Sequence, residues 1–247
     1  PGAGPSGTGP AGVPGGVLRV LNFTISKDFI KVLLHPGKTD MRTVIISNTG
    51  ETNLTISVDM RALEDFLVFT GGVSKYTFDL DVNETKSFQL NFFASEDQEP
   101  GVFPGKVVVT GDRIEKVITI IVEVESMEPL FDIDVEVPYA YKKVLRGGQA
   151  LAQFTIFNIR NVGRVDVNVE YGIKDVEGNI IASKQETLSV ELQVSVLRNI
   201  DIPLDIKPGN YVLYGIVSYD SIIGTGSDIF TVLPKKEITR EVRNYLG

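Results

Sequence analysis

In Phe131-Asp132-Ile133-Asp134-Val135-Glu136-Val137 every odd position is apolar and every even position is acidic. A period of two sends alternate side chains to opposite faces of an extended strand, so this stretch puts one face in a core and the other in water. A helix would spread the same residues around its circumference. Val165-Asp166-Val167-Asn168-Val169-Glu170-Tyr171 carries the same pattern. A chain built this way must pair its strands into sheets and bury one side of each.

The rest of the sequence reads in the same way. Strands are expected at Val17–Thr24, Phe29–Leu34, Arg42–Asn48, Asn53–Met60, Tyr76–Asp81, Thr85–Ala94, Lys106–Thr110 and Lys116–Glu125. Turn signals separate them at His35-Pro36-Gly37, Asn48-Thr49-Gly50, Gly71-Gly72 and Gly111-Asp112. A second set follows at Phe131–Val137, Leu151–Ile159, Val165–Tyr171, Asn179–Val190, Val194–Ile202, Tyr211–Tyr219 and Ile229–Leu233. Gly111-Asp112-Arg113, Glu177-Gly178-Asn179 and Gly224-Thr225-Gly226 read as hairpin turns, and a positive φ is expected at Asn48 or Gly50. Tyr211, after Pro208-Gly209, is placed as a corner tyrosine whose hydroxyl reaches upstream backbone.

Two sets of strands in 247 residues make two sandwich domains the expected organisation. Residues 1–16 form a Gly/Pro-rich leader, 17–125 the first domain, 126–233 the second, and 234–247 a polar tail. In that tail Ile238, Val242, Tyr245 and Leu246 share one face of a short amphipathic helix. Each set opens with a strand, continues through a Gly-containing turn and reaches an apolar strand ending in Asn, so the two read as copies of one module. The connection Glu125-Ser126-Met127-Glu128-Pro129 is too short for a loose tether, and an end-to-end rod is expected.

Pro36-Gly37-Lys38-Thr39, Thr43-Val44-Ile45-Ile46-Ser47-Asn48-Thr49-Gly50 and Asn53-Leu54-Thr55-Ile56-Ser57-Val58 resemble the immunoglobulin-like modules of archaeal and bacterial cell-surface proteins. Phe154-Thr155-Ile156-Phe157-Asn158 and Lys207-Pro208-Gly209-Asn210-Tyr211-Val212-Leu213-Tyr214 resemble the same group. The resemblance implies two tandem immunoglobulin-like Greek-key β-sandwiches and an extracellular place. The chain has neither Cys nor Trp, so the Cys-Trp-Cys core of antibody domains is absent and disulfides are excluded.

No catalytic, cofactor or metal residues are expected. The single histidine, His35, sits in a turn without a base or nucleophile beside it, and thiol chemistry has no cysteine. Acidic groups occur at Asp79 and Asp81, at Asp132, Asp134 and Glu136, and at Glu123, Glu125 and Glu128, none in an Asp-x-Asp-x-Asp-Gly loop, and they read as solvated faces. A net charge of −8 with no basic stripe argues against nucleic acid. No run of about 20 apolar residues is present to cross a bilayer, so any membrane anchor is expected outside this chain.

Three N-x-[ST] sequons, Asn22-Phe23-Thr24, Asn53-Leu54-Thr55 and Asn83-Glu84-Thr85, all fall in the first domain as candidate glycosylation sites. The expected function is therefore a non-enzymatic extracellular structural or binding module, a surface stalk, envelope or adhesion component with protein partners or self-association. The alternatives are a filament subunit that donates its Val17–Thr24 strand to a neighbour, and an accessory carbohydrate-binding domain pair using Tyr139 with Tyr141, or Tyr214 with Tyr219.

Overall fold

Residues 19–69 and 71–234 are described by the structure, a computed structural model. The leader 1–16, the start of the expected Val17–Thr24 strand and the amphipathic pattern beyond Pro234 lie outside the described residues. The described chain is all-β. The first half contains β1 (Phe23–Ile25), β2 (Phe29–Leu34), β3 (Thr39–Asn48), β4 (Leu54–Arg61), β5 (Leu67–Phe69), β6 (Lys75–Leu80), β7 (Thr85–Phe93), β8 (Gly101–Gly111) and β9 (Ile114–Val124). The second contains β10 (Phe131–Glu136), a 3-10 turn at Tyr139–Tyr141, β11 (Lys143–Leu145), β12 (Gln149–Asn158), β13 (Val165–Asp175), β14 (Ile180–Val190), β15 (Gln193–Asp201), β16 (Gly209–Tyr219) and β17 (Ile222–Leu233).

Each half builds two sheets from its own strands alone. The first has the orders β1-β3-β7-β5 and β2-β9-β8-β4-β6, the second β10-β12-β15 and β11-β17-β16-β13-β14. Strand for strand the second half repeats the first, with only β5 lacking a counterpart. The repetition extends to detail: β2 runs parallel to β9 as β11 does to β17, and Phe23 faces Asn48 as Phe131 faces Asn158. Both two-residue hairpin turns, β8–β9 and β16–β17, place an Asp at positive φ, Asp112 at 52° and Asp220 at 53°, where a short polar side chain tolerates the left-handed region.

Alternation explains the interiors. Val44, Ile46, Phe88, Leu90 and Phe92 face Val58, Val107, Ile120 and Val122 in one core, and Ile133, Phe154, Ile156, Val169, Leu213 and Val217 fill the other. Tyr211 is the expected corner tyrosine, its hydroxyl donating to the Lys207 carbonyl at 2.7 Å.

The structure departs from the sequence reading at several places. Of the strand expected over Val17–Thr24, the described residues are regular only from Phe23. Before it, Val20 and Asn22 pass beyond the end of β3 and accept from Glu51 N and Thr49 N of the following loop. Gly224 and Gly226 do not turn the chain; they lie inside β17, opposite Val217 and Gly215. A Cβ at either would collide with the β10 carbonyl of Phe131 or Ile133, so glycine permits backbone to lie on backbone.

Neither Asn48 nor Gly50 has a positive φ. Asn48 bends the chain through its side chain: Nδ2 donates to Thr52 O (2.8 Å) and Leu80 O (3.0 Å), and Oδ1 accepts from Gly50 N (2.9 Å). Asn158 repeats this, donating to Gly163 O and Glu191 O and accepting from Val162 N. β5 and β11 lie outside the expected strands, being three-residue strands too short to show a period. β8 begins at Gly101 rather than Lys106. β4 ends opposite Lys106, so Pro104 has a ladder neighbour on the β9 side alone, where a missing N–H is tolerated as on an edge.

Candidate functional site

The halves do not meet end to end. The five-stranded sheets lie against each other by the faces turned away from their own cores, and Val102 and Ile121 of the first half bury with Val212 and Tyr214 of the second. Alternation puts these residues on the outer face, where water is the usual neighbour; here the other half replaces it. Tyr214 is fully buried, and its hydroxyl donates to Glu170 Oε1 at 2.8 Å. Burial, and then the Glu170 carboxylate, push its phenol pKa well up.

Polar groups line this seam as closely as apolar ones. Glu123 and Glu125, each 5% exposed, both reach β17. Ser227 Oγ donates to Glu123 Oε1 at 2.6 Å and Thr225 N donates to Glu125 Oε1 at 2.9 Å. Lys31 Nζ stands 3.4 Å from Glu123 Oε1 and donates to Ser227 O at 3.0 Å. Burial raises the pKa of both carboxyls, partly offset at Glu123 by Lys31 and at Glu125 by the Thr225 amide, while Asp132 adds to the rise at each. The sequence reading placed these two glutamates on a solvated face, and the covering half overturns that.

The connection is tied in as well. Ser126 N donates to Ile223 O, Ile223 N donates to Ser126 Oγ, and Ser126 O accepts from His35 Nδ1 at 3.0 Å. His35, placed by the sequence in a turn without a base or nucleophile beside it, thus holds the connecting segment. At the far side Lys174 Nζ donates to Val102 O at 2.7 Å beneath the ring of Tyr214, and Lys106 pairs with Glu177. Burial lowers the Lys174 pKa. Lys174 and Glu177 border a cleft of about 660 Å³ that is also lined by Glu64, Phe66, Phe103 and Pro104.

One seam atom is unmatched: the Thr225 hydroxyl is buried without a hydrogen-bond partner among the described residues. Thr225→Val keeps the shape and removes that group, so it is expected to stabilise the protein by about 0.5–1 kcal/mol in chemical denaturation. A loss of stability would mean that the hydroxyl is hydrogen-bonded after all.

The remaining candidates separate. Tyr214 is buried and Tyr219 packs edge-on against Phe131, so these two form no open sugar platform. Tyr139, 94% exposed, and Tyr141 stand together on the 3-10 turn. Asp132, Asp134 and Glu136 line one exposed face of β10, as the alternation predicts. Among the described residues no group of three or more His, Asp or Glu side chains is placed to hold a metal ion, and no helix is long and apolar enough to cross a membrane.

Asn22, Asn53 and Asn83, remote in sequence, come to one pole of the first half. Asn22 O accepts from Thr49 N at the start of the β3–β4 loop, and Asn53 ends that loop. Asn53 Oδ1 accepts from Val82 N of the β6–β7 turn, which carries Asn83 at φ 62°. Buried Asn48, 2% exposed, ties these segments together through Gly50, Thr52 and Leu80.

No family model matches the chain, and no curated protein matches it. Among solved structures it is similar to a protein of unknown function from Porphyromonas gingivalis W83, at 13% identity, covering 87% of this chain and 99% of that one with a TM-score of 0.43. A red sea bream transglutaminase matches at 14% identity over 88% of this chain and 31% of its own, TM-score 0.32. The PapD-like domain 7 of human CEP192 matches at 13% identity over 43% of this chain and 85% of its own, TM-score 0.30. Likenesses this distant assign neither a relative nor an activity.

Proposed function

We propose that the chain is a non-enzymatic extracellular structural module, composed of two tandem immunoglobulin-like sandwiches, residues 17–125 and 126–233, held side by side as a spacer or presenting element of a cell envelope. Support for the immunoglobulin-like reading comes from the strand order repeated in both halves, with β5 completing the smaller sheet of the first alone, and from the corner tyrosine Tyr211. The observation that carries the structural role is the seam. A buried apolar cluster flanked by Lys31, Glu123, Glu125, Ser126 and Lys174 joins the halves, and so many fixed contacts favour transmitting position and load over opening around a substrate.

The surface carries the test of location. Lys27 and Lys38 are exposed, so a membrane-impermeant amine reagent applied to intact producing cells is expected to label them as fully as it does in lysate. Labelling only after lysis would remove the extracellular reading. Deletion of the coding sequence is expected to change envelope integrity or attachment; loss of a specific hydrolytic activity with both unchanged would remove the structural one.

A further inference from the structure

We infer that the pole of the first half formed by Asn22, Asn53 and Asn83 is a glycan-bearing cap, with an oligosaccharide on the amide nitrogen of at least two of the three. The sequence alone offers three short motifs, against roughly one to two expected by chance among its Asn, Ser and Thr residues. The fold adds three independent facts.

The first is convergence. The three asparagines come from the segment before β1, the end of the β3–β4 loop and the β6–β7 turn, yet backbone and side-chain bonds join all three segments around Asn48. The second is chemical freedom. Asn53 and Asn83 are exposed and Asn22 is half-buried, and among the described residues none of the three Nδ2 groups donates a hydrogen bond; Asn53 uses only its Oδ1. Asn48 and Asn158, which belong to no sequon, commit both Nδ2 hydrogens to backbone carbonyls. The third is position. β9 runs from Ile114, paired with Gly111 beside the pole, to Val124, where the chain leaves for the second half. The cap therefore sits at the end opposite that exit, clear of the seam. The repeated pole of the second half, around Asn158, has the same architecture and no sequon.

The modification needs a glycosyl donor of the polyprenyl-phosphate-linked oligosaccharide class. Asn Nδ2 forms a bond to the sugar C1, the bond from C1 to the phosphate oxygen breaks, Nδ2 gives up one proton, and the polyprenyl phosphate leaves. Neither electrons nor further reactants are required. Each threonine two residues on, Thr24, Thr55 and Thr85, is exposed.

The test is intact-mass and peptide mapping of the full chain isolated from the cells that make it, beside variants that break one sequon each. Asn22→Gln and Asn53→Gln serve for two sites. Asn83 has a positive φ that Gln would strain, so its sequon is broken by Thr85→Ala. Two or three occupied sites in the wild type, with one glycan mass lost in each variant of an occupied site, are the expected result. Unmodified asparagine at two or more of the sites overturns the cap. A further readout tests its place: trypsin should cleave after exposed Arg113, in the polar hairpin turn, faster in the triple variant than in the wild type, and after exposed Arg160 of the second half at the same rate in both. Equal cleavage after Arg113 in a fully glycosylated chain also overturns it.

Discussion

Replacing Asn48 by alanine is expected to lower the stability of the protein by about 3–5 kcal/mol, because each buried backbone group left without a partner costs about 1–3 kcal/mol. Three lose this partner at once: the carbonyls of Thr52 and Leu80 and the amide of Gly50. Asn48 is 2% exposed, so water reaches the Leu80 carbonyl and the Gly50 amide poorly. If the two halves melt together, calorimetry should show a Tm lower by about 6–20 °C. Asn48→Asp keeps an acceptor for Gly50 N but loses both donors and places a charge among carbonyls, so it should be at least as damaging. Asn158→Ala removes the same three bonds from the second half, and a loss of similar size is expected there. A loss below about 1 kcal/mol in Asn48→Ala would show that the side chain follows the loops rather than holding them.

β2 and β14 were bounded to within a residue, and β10 was legible in full, because a sandwich strand wet on one face writes its period into the sequence. β9 and β16 are different. Ile120-Ile121-Val122 and Tyr211-Val212-Leu213-Tyr214 are apolar on both faces, which is how a strand covered on both sides reads. That signal pointed to the seam, and a side-by-side arrangement could have been drawn from it. The buried state of Glu123 and Glu125 could not, since a carboxylate on an outer face looks the same whether water or Ser227 and Thr225 stand opposite. The asparagines of the pole were each visible as sequons, and Asn48 and Asn158 as matching strand ends. Their convergence depends on long-range pairing, which local pattern does not encode.

The same glutamates set the second large expectation, a stability that rises as the solution is acidified from neutral pH. Two carboxyls lie side by side in the seam with one ammonium, Lys31, near Glu123, and with Asp132 adding negative potential to both. The folded protein therefore holds their protons more tightly than the unfolded chain, whose glutamates titrate near 4.3. Between that value and the raised values of the folded state, the native protein carries more protons than the unfolded one. The contribution is complete below the unfolded value and is lost as pH rises through the folded ones, with a slope approaching about 1.4 kcal/mol per pH unit for each carboxyl in transition. Glu84 and Asp97, whose pKa values are lowered chiefly by hydrogen bonds from the Asp81 amide and the Ser95 hydroxyl, act in the opposite direction and only at more acidic pH. In the double variant Glu123→Gln, Glu125→Gln, amide oxygens can still accept from Ser227 and Thr225 while nothing in the pair titrates. Denaturant unfolding between pH 5 and 8 should then be nearly flat, and the variant should exceed the wild type at the alkaline end. If the two proteins keep parallel curves across that range, the buried pair does not govern the pH response, and the seam must be wetter than its packing implies.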